Sequence, residues 1–169
     1  LKTSFFYRES INKLRSKVEA SSQKHGYTSF MITSAHENEG KSSVGANLAL
    51  ALAKNGHKTI LVDMDFRKPS LNKIFELNEE YDYVIVDVSP AYLLNEPMTI
   101  NEMMDATLFI VRQDYAEKDM INETISRLTY VKNNVVGIVF NSRVYEPSTM
   151  RGTYGYRYGY NRYRTKGGE

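Results

Sequence analysis

The chain has 169 residues, 41% of them hydrophobic and 25% charged, with a formal net charge of +2 and no cysteine. This suffices for one domain plus a tail, matches ordinary soluble globular composition, and excludes disulfides and cysteine-held metals. No apolar run approaches the roughly 18 residues of a membrane span, and no secretory signal opens the chain, so a cytosolic location is expected; Leu1 at the start points to sequence missing upstream.

Residues 8–24 read as a helix, with Ile11, Leu14 and Val18 on one face at spacings of three and four. Residues 29–33 (SFMIT) read as a short buried strand. A turn follows, then a helix over about 41–55, where Val44, Leu48 and Leu52 recur and Asn55-Gly56 is a stop signal. Residues 59–64 (TILVDM) form a strand-type apolar run, and 70–80 are expected to hold a short helix. A further strand over 83–88 (YVIVDV) is closed by Ser89-Pro90, and 107–111 (TLFIV) is a fourth. A helix over 117–132 runs through Met120, Ile121, Ile125 and Leu128, and 135–140 (VVGIVF) is a fifth strand. Strands apolar on both faces, alternating with helices, imply an α/β fold: a doubly wound, mostly parallel sheet with helices on both faces. No internal repeat is visible.

After Val144 the apolar residues other than tyrosine nearly vanish. Residues 1–144 are therefore expected to form the domain and 145–169 a flexible tail. Residues 151–169 carry five basic side chains (Arg151, Arg157, Arg162, Arg164, Lys166) against Glu169, so this stretch is +4 and the preceding 150 residues are −2. The basic character belongs to the tail. Tyr154, Tyr156, Tyr158, Tyr160 and Tyr163 alternate there with Gly, Arg and Asn. Tyrosines so placed cannot build a core. They suit a phosphoacceptor segment, a nucleic-acid contact through stacking and Arg–phosphate pairing, or contact with an anionic membrane.

The segment Ala35-x4-Gly40-Lys41-Ser42 lies between a strand and a helix, the context a phosphate-binding loop requires. Backbone N–H groups and the helix N-terminus can cradle phosphates, Lys41 can reach the outer ones and Ser42 can ligate Mg²⁺. Ala35 stands where the first glycine of the pattern is usual. Strand 59–64 runs into Asp63-Met64-Asp65-Phe66-Arg67, and strand 83–88 carries Asp87 near its own carboxyl end. Ligands of open α/β sheets bind outside those ends. Ser42 and Asp87 suit Mg²⁺, and Asp63 or Asp65 can stand near an incoming nucleophile as a base.

These strings, in this order, resemble the bacterial tyrosine kinases that regulate capsule and exopolysaccharide synthesis. Residues 35–42, 63–67 and 84–87 match the family's Walker A, Walker A′ and Walker B elements. The strand ending in Val111-Arg112, the segment 137–141 (GIVFN) and the tyrosine cluster match as well. The resemblance implies an ATP- and Mg²⁺-dependent protein-tyrosine autokinase of P-loop fold. The implied nucleotide site comprises Glu37, Asn38, Glu39, Gly40, Lys41, Ser42 and Ser43, with Asn141 facing the base. Lys41 would hold the β- and γ-phosphates, and Ser42, Asp63 and Asp87 would form the metal set. Asp63 would help activate the tyrosine hydroxyl, Asp65 would support metal and geometry, and Arg67 would contact the phosphate region. The five tail tyrosines would be the acceptors. Implied partners are a transmembrane polysaccharide co-polymerase-type activator, further copies of the chain in a ring, and a cognate tyrosine phosphatase. The implied place is the inner face of the plasma membrane, and no specific nucleic acid is expected. Eukaryotic-kinase motifs are absent from the sequence.

Departures from the family are also legible. Only residues 70–80 separate the Walker A′ segment from Tyr81-Asp82, where the family carries a much longer stretch, and eleven residues just reach the roughly 10–12 a crossover needs. Glu9, Asn12 and Arg15 share a helical face and resemble the family's oligomerisation motif, with Asn12 in place of its first Arg. Two other functions stay open at this point. One is a Min/Par-type ATPase switch, against which His36 stands where those enzymes place a second lysine. The other is a nucleotide-binding module that has lost phosphotransfer.

Overall fold

In a computed structural model the described residues are 5–64 and 80–142. Their elements are α1 (Phe5–His25), β1 (Ser29–Ser34), α2 (Lys41–Lys54), β2 (Thr59–Met64), β3 (Tyr83–Val88), α3 (Glu96–Met103), β4 (Ala106–Arg112), α4 (Lys118–Val131) and β5 (Val135–Asn141). The strands form one sheet in the order β2-β3-β1-β4-β5, with every neighbouring pair parallel. β3 lies on one side of β1 and β4 on the other. The winding therefore reverses at β1, and the crevice this opens lies at the carboxyl ends of the strands.

Alternation along each strand feeds two cores. Phe30 and Ile32 of β1, Ile85 of β3 and Leu108 and Ile110 of β4 pack with Val18 of α1 and Val44, Leu48 and Leu52 of α2. Met31, Val84, Val86, Phe109 and Val111 point the other way, against Ile100, Met104 and Leu128. Each such side chain is worth about 1.5–3 kcal/mol when fully buried, so β1, β3 and β4 are hydrophobic on both faces because both faces are covered. The edge strand β5 differs: Val136, Ile138 and Phe140 are 42%, 48% and 68% exposed.

The expected helices and strands within the described residues are present, with ends displaced by up to three residues. α3 was not expected. It is eight residues long with Pro97 in its first turn, and it is fixed from outside itself. Asn101 accepts from Thr107 Oγ1 at 2.7 Å and donates Nδ2 to the Leu128 carbonyl at 3.0 Å. Asn134 Nδ2 donates to the carbonyls of Asn101 and Met104 at 3.1 and 3.0 Å. At the amino end of the sheet, Asp105 Oδ2 accepts four bonds of 2.9–3.2 Å, from the backbone N–H and hydroxyl of both Thr28 and Ser29. Burial pushes the Asp105 carboxyl up, but these bonds outweigh it and hold the group below its ordinary value. The expected helix over 70–80 and tail over 145–169 lie outside the described residues, apart from Glu80. Among the described residues no helix is long and apolar enough to cross a membrane.

Candidate nucleotide site

The loop between β1 and α2 begins at Ala35, whose methyl is buried in the α3/α4-side core, so the departure from glycine there is accommodated. Asn38 and Gly40 take positive φ, 58° and 88°, and Gly40 caps α2 without a side chain. No acid occupies the first turn of α2, and the N-terminal N–H groups of a helix favour an anion. Lys41 opens the helix, and Ser42 and Ser43 are exposed beside it. Tyr7 of α1 brings its hydroxyl within 3.5 Å of Ser43 Oγ.

The loop is held in shape by the carboxyl ends of β4 and β5. Glu39 is fully buried and turns its carboxylate inward. Oε2 accepts the His36 N–H at 2.7 Å and Oε1 accepts the Arg112 N–H at 3.2 Å. Arg112 Nη1 donates to the Asn38 carbonyl at 3.2 Å, and Asn141 Nδ2 donates to the Glu39 carbonyl at 2.9 Å. The Arg112 guanidinium carbon lies 4.8 Å from the centre of the Tyr115 ring, a cation–π distance. The His36 ring meets the same Tyr115 edge-on, with centroids 5.5 Å apart. A Cβ on Gly40 would run into Asn141 Nδ2. The loop backbone is thus preorganised by side chains from two other strands.

Two carboxylates close the site on the far side of β1. Asp63 and Asp87 are partners in the β2–β3 register, and Asp87 is also in register with Ile32 of β1. In-register residues of parallel strands share a face, and Asp87 follows Tyr83 and Ile85 on the α2 side. Asp87 is 6% exposed and Asp63 is exposed. Like charges placed side by side on adjacent strands repel. An arrangement of Ser42 hydroxyl and two carboxylates therefore fits a hard cation such as Mg²⁺, which takes oxygen ligands and retains water or phosphate oxygens. Among the described residues no group of three or more His, Asp or Glu is placed to hold a metal ion.

The structure therefore brings the expected loop residues 37–43, Asp63, Asp87 and Asn141 to one edge. The Asn141 amide is engaged with the loop itself. Asp65 and Arg67 and the five tail tyrosines lie outside the described residues. Glu9 and Arg15 lie apart on α1. Asn12 Nδ2 reaches Glu9 at 3.5 Å, while Arg15 Nη1 grips both oxygens of Glu19 at 2.7 and 2.8 Å. Glu19 Oε1 also accepts from Asn55 at 2.8 Å and lies 3.0 Å from His57 Nε2. Burial pushes the Glu19 carboxyl up, but the Arg15, Asn55 and His57 contacts together hold it below its ordinary value. The structural roles of Glu39, Arg112, Tyr115 and His36 in shaping the loop were not anticipated. Glu39 reads as a loop acid in sequence, and its partner Arg112 is 73 residues away.

The CobQ/CobB/MinD/ParA nucleotide binding domain family (CbiA) matches residues 30–151, more than half of the chain. The EpsB protein of Ralstonia nicotianae is 26% identical over 211 residues, covering 92% of this chain and 28% of that protein. That match is longer than this chain's 169 residues, so EpsB carries residues within it that this chain lacks. Tyrosine-protein kinase YwqD of Bacillus subtilis is 42% identical over 69 residues, covering 41% of this chain and 29% of that protein. The chain thus matches less than a third of the length of these curated relatives. Among solved structures, the kinase domain of Escherichia coli tyrosine kinase ETK superposes with a TM-score of 0.75 at 19% identity, covering 90% of this chain and 80% of that one, which supports the fold. By this family match over most of its length, and by its likeness to these relatives, the chain belongs to the CobQ/CobB/MinD/ParA nucleotide-binding family and is homologous to its bacterial tyrosine-kinase members.

Proposed function

We propose that this chain is an ATP- and Mg²⁺-dependent protein-tyrosine autokinase domain whose acceptors are its own tail tyrosines, Tyr154, Tyr156, Tyr158, Tyr160 and Tyr163, presented between neighbouring copies. The observation that carries the reading is the convergence of a preorganised phosphate loop with Asp63 and Asp87 on one sheet edge. Phosphoryl transfer depends mainly on placement and charge neutralisation. In this reading the loop N–H groups and Lys41 hold the β- and γ-phosphates, and Lys41 neutralises charge that builds on the transferred group. Exposed Asp63 accepts the phenolic proton as the tyrosine oxygen bonds to phosphorus and the bond to the ADP oxygen breaks. Mg²⁺ held by Ser42 and Asp87 would supply further neutralisation. Asp65 and Arg67 would complete the site, Asn141 would border the base, and Glu9 and Arg15 would contribute to oligomer formation. By the same reading the domain acts in capsule or exopolysaccharide synthesis at the inner membrane face, with a transmembrane activator and a cognate phosphatase.

Incubation of the chain with Mg·ATP and activator, read by mass spectrometry, should show phosphate at mixed occupancy over the five tyrosines. The longer matched stretch in EpsB favours a second reading, a nucleotide-binding module without transfer. Nucleotide binding with every tail tyrosine unmodified would select it.

A further inference from the structure

A groove runs between α1 and the outer edge of β5. Two adjoining cavities of about 460 Å³ each share Ser10, Leu14, Val139 and Phe140 as walls. One reaches Ser142, the point at which the chain leaves the sheet. The other carries Lys13 and Lys17, one helical turn apart on its α1 wall. None of the residues lining either cavity is acidic. Leu14 of α1 and Val139 of β5, both packed against the core on the α1/α2 side, with Phe30 and Leu108 beneath, give the groove apolar side chains, while Ile138 and Phe140, in register with Phe109 and Val111, turn theirs to the other face of the sheet. Apolar walls under a pair of lysines match a ligand with a flat hydrophobic body and an anionic end.

We propose that this groove is a docking site, in the same molecule, for the tail once its tyrosines carry phosphate. The inference rests on the autokinase reading for the source of the phosphate. Three observations point to this occupant. First, the tail starts at the groove: Ser142 lines it, and Tyr154 follows twelve positions later. Twelve extended residues span about 40 Å, whereas the seven residues of β5 span about 23 Å. The reach is ample, and a tether of this length raises the local concentration of the tail to the millimolar range. Second, charge selects the modified form. Unmodified, the stretch 151–169 is +4 and is repelled by Lys13 and Lys17. Each phosphotyrosine adds about −1.5 to −2 charges, so two or three neutralise the stretch and place anions where the lysines can meet them. Third, the alternation of tyrosine with small or polar residues over 154–160 puts successive rings on one side of an extended segment, as an apolar groove along a strand edge requires.

The test uses the full unphosphorylated chain and a fluorescent synthetic peptide of residues 152–166 bearing phosphotyrosine at 156, 158 and 160, so that docking is read without any kinase activity. The phosphopeptide should bind at least tenfold more tightly than its unphosphorylated twin. Lys13→Glu with Lys17→Glu should remove at least that tenfold, and Val139→Ser should weaken binding at unchanged salt dependence. Lys41→Met should bind the peptide as the parent chain does, which separates this site from the nucleotide site. Equal binding of both peptides, or indifference to the lysine reversals, would overturn the proposal. A chain bearing the same three phosphotyrosines should reject added phosphopeptide and sediment as the unmodified chain does. If it instead assembles through its tail, the occupant is a second copy and the assignment to the same molecule is wrong.

Discussion

Asn141 donates its side-chain amide to the backbone carbonyl of Glu39 at 2.9 Å, across 102 residues of sequence. The last residue of the edge strand thereby fixes the phosphate loop one residue before the turn at Gly40. Gly40 has φ of 88°, and the space a Cβ would occupy there is taken by that same amide. Gly40→Ala should therefore suffer twice, from backbone strain of about 1–3 kcal/mol and from displacement of Asn141. We expect a drop in thermal midpoint and at least a tenfold loss of ATP affinity by calorimetry. Adding Asn141→Ala to Gly40→Ala should recover part of the stability but not the strain at φ. Full recovery would mean that the clash, not the turn, sets the cost.

Glu39 offers a second test of the same loop. Its carboxylate is buried and accepts from His36 and Arg112 at 2.7 and 3.2 Å. Glu39→Ala leaves two inward N–H donors without their acceptor, at about 1–3 kcal/mol each. Glu39→Gln keeps one oxygen acceptor and turns an NH₂ toward the other donor, so it should fall between parent and Ala. Urea unfolding should give that order, and ATP affinity should follow it. If ATP affinity holds while stability falls, the loop takes its shape without this carboxylate.

These two residues also mark how far the sequence could be read. The strand 83–88 was legible to the residue because both faces of a central parallel strand are buried, which leaves an unbroken apolar run; 59–64 carries a similar run although β2 lies at the edge of the sheet and is only partly buried. The loop and Asp87 were legible because phosphate chemistry demands those types at that spacing. α3 was not, because eight residues with two acids and a proline carry little periodicity. Its order comes from Asn101 reaching Leu128 and Thr107. The inward turn of Glu39 was equally hidden, since its acceptor role exists only once β4 lies beside β1. Non-local hydrogen bonds leave no local signature, and they decide both cases.

Asp105 sets a pH dependence at the opposite end of the sheet. Its four bonds from Thr28 and Ser29 hold the folded carboxyl below its ordinary value despite burial. The folded state thus binds this proton less readily than the unfolded chain. The stabilisation is complete above the unfolded value of about 3.9 and is lost as pH falls through the folded one. Asp105→Asn should lower stability by about 1–2 kcal/mol near pH 7 through weaker acceptance of these bonds, with the gap to the parent closing below pH 4. Denaturation at several pH values checks this. A gap that stays constant into acid would show that the anionic form contributes nothing.

Asp63 and Lys41 separate binding from transfer. Lys41 opens α2 at the phosphate loop, whereas Asp63 sits exposed beside buried Asp87 on the neighbouring strand. In the proposed reading Lys41→Met removes the cation that would meet the outer phosphates, and it should cost at least tenfold in ATP affinity as well as all transfer. Asp63→Ala leaves the loop intact, so it should bind Mg·ATP within a few-fold of the parent yet leave Tyr154, Tyr156, Tyr158, Tyr160 and Tyr163 without phosphate. Removal of Mg²⁺ by chelation should weaken ATP binding in both the parent and Asp63→Ala, because Ser42 and Asp87 remain. Addition of parent chain should restore phosphate to the tail of either variant, since acceptor and catalyst then reside on different copies. Tail phosphate that persists in Asp63→Ala alone would remove this carboxylate from the transfer step and leave the proton to another acceptor at the same edge.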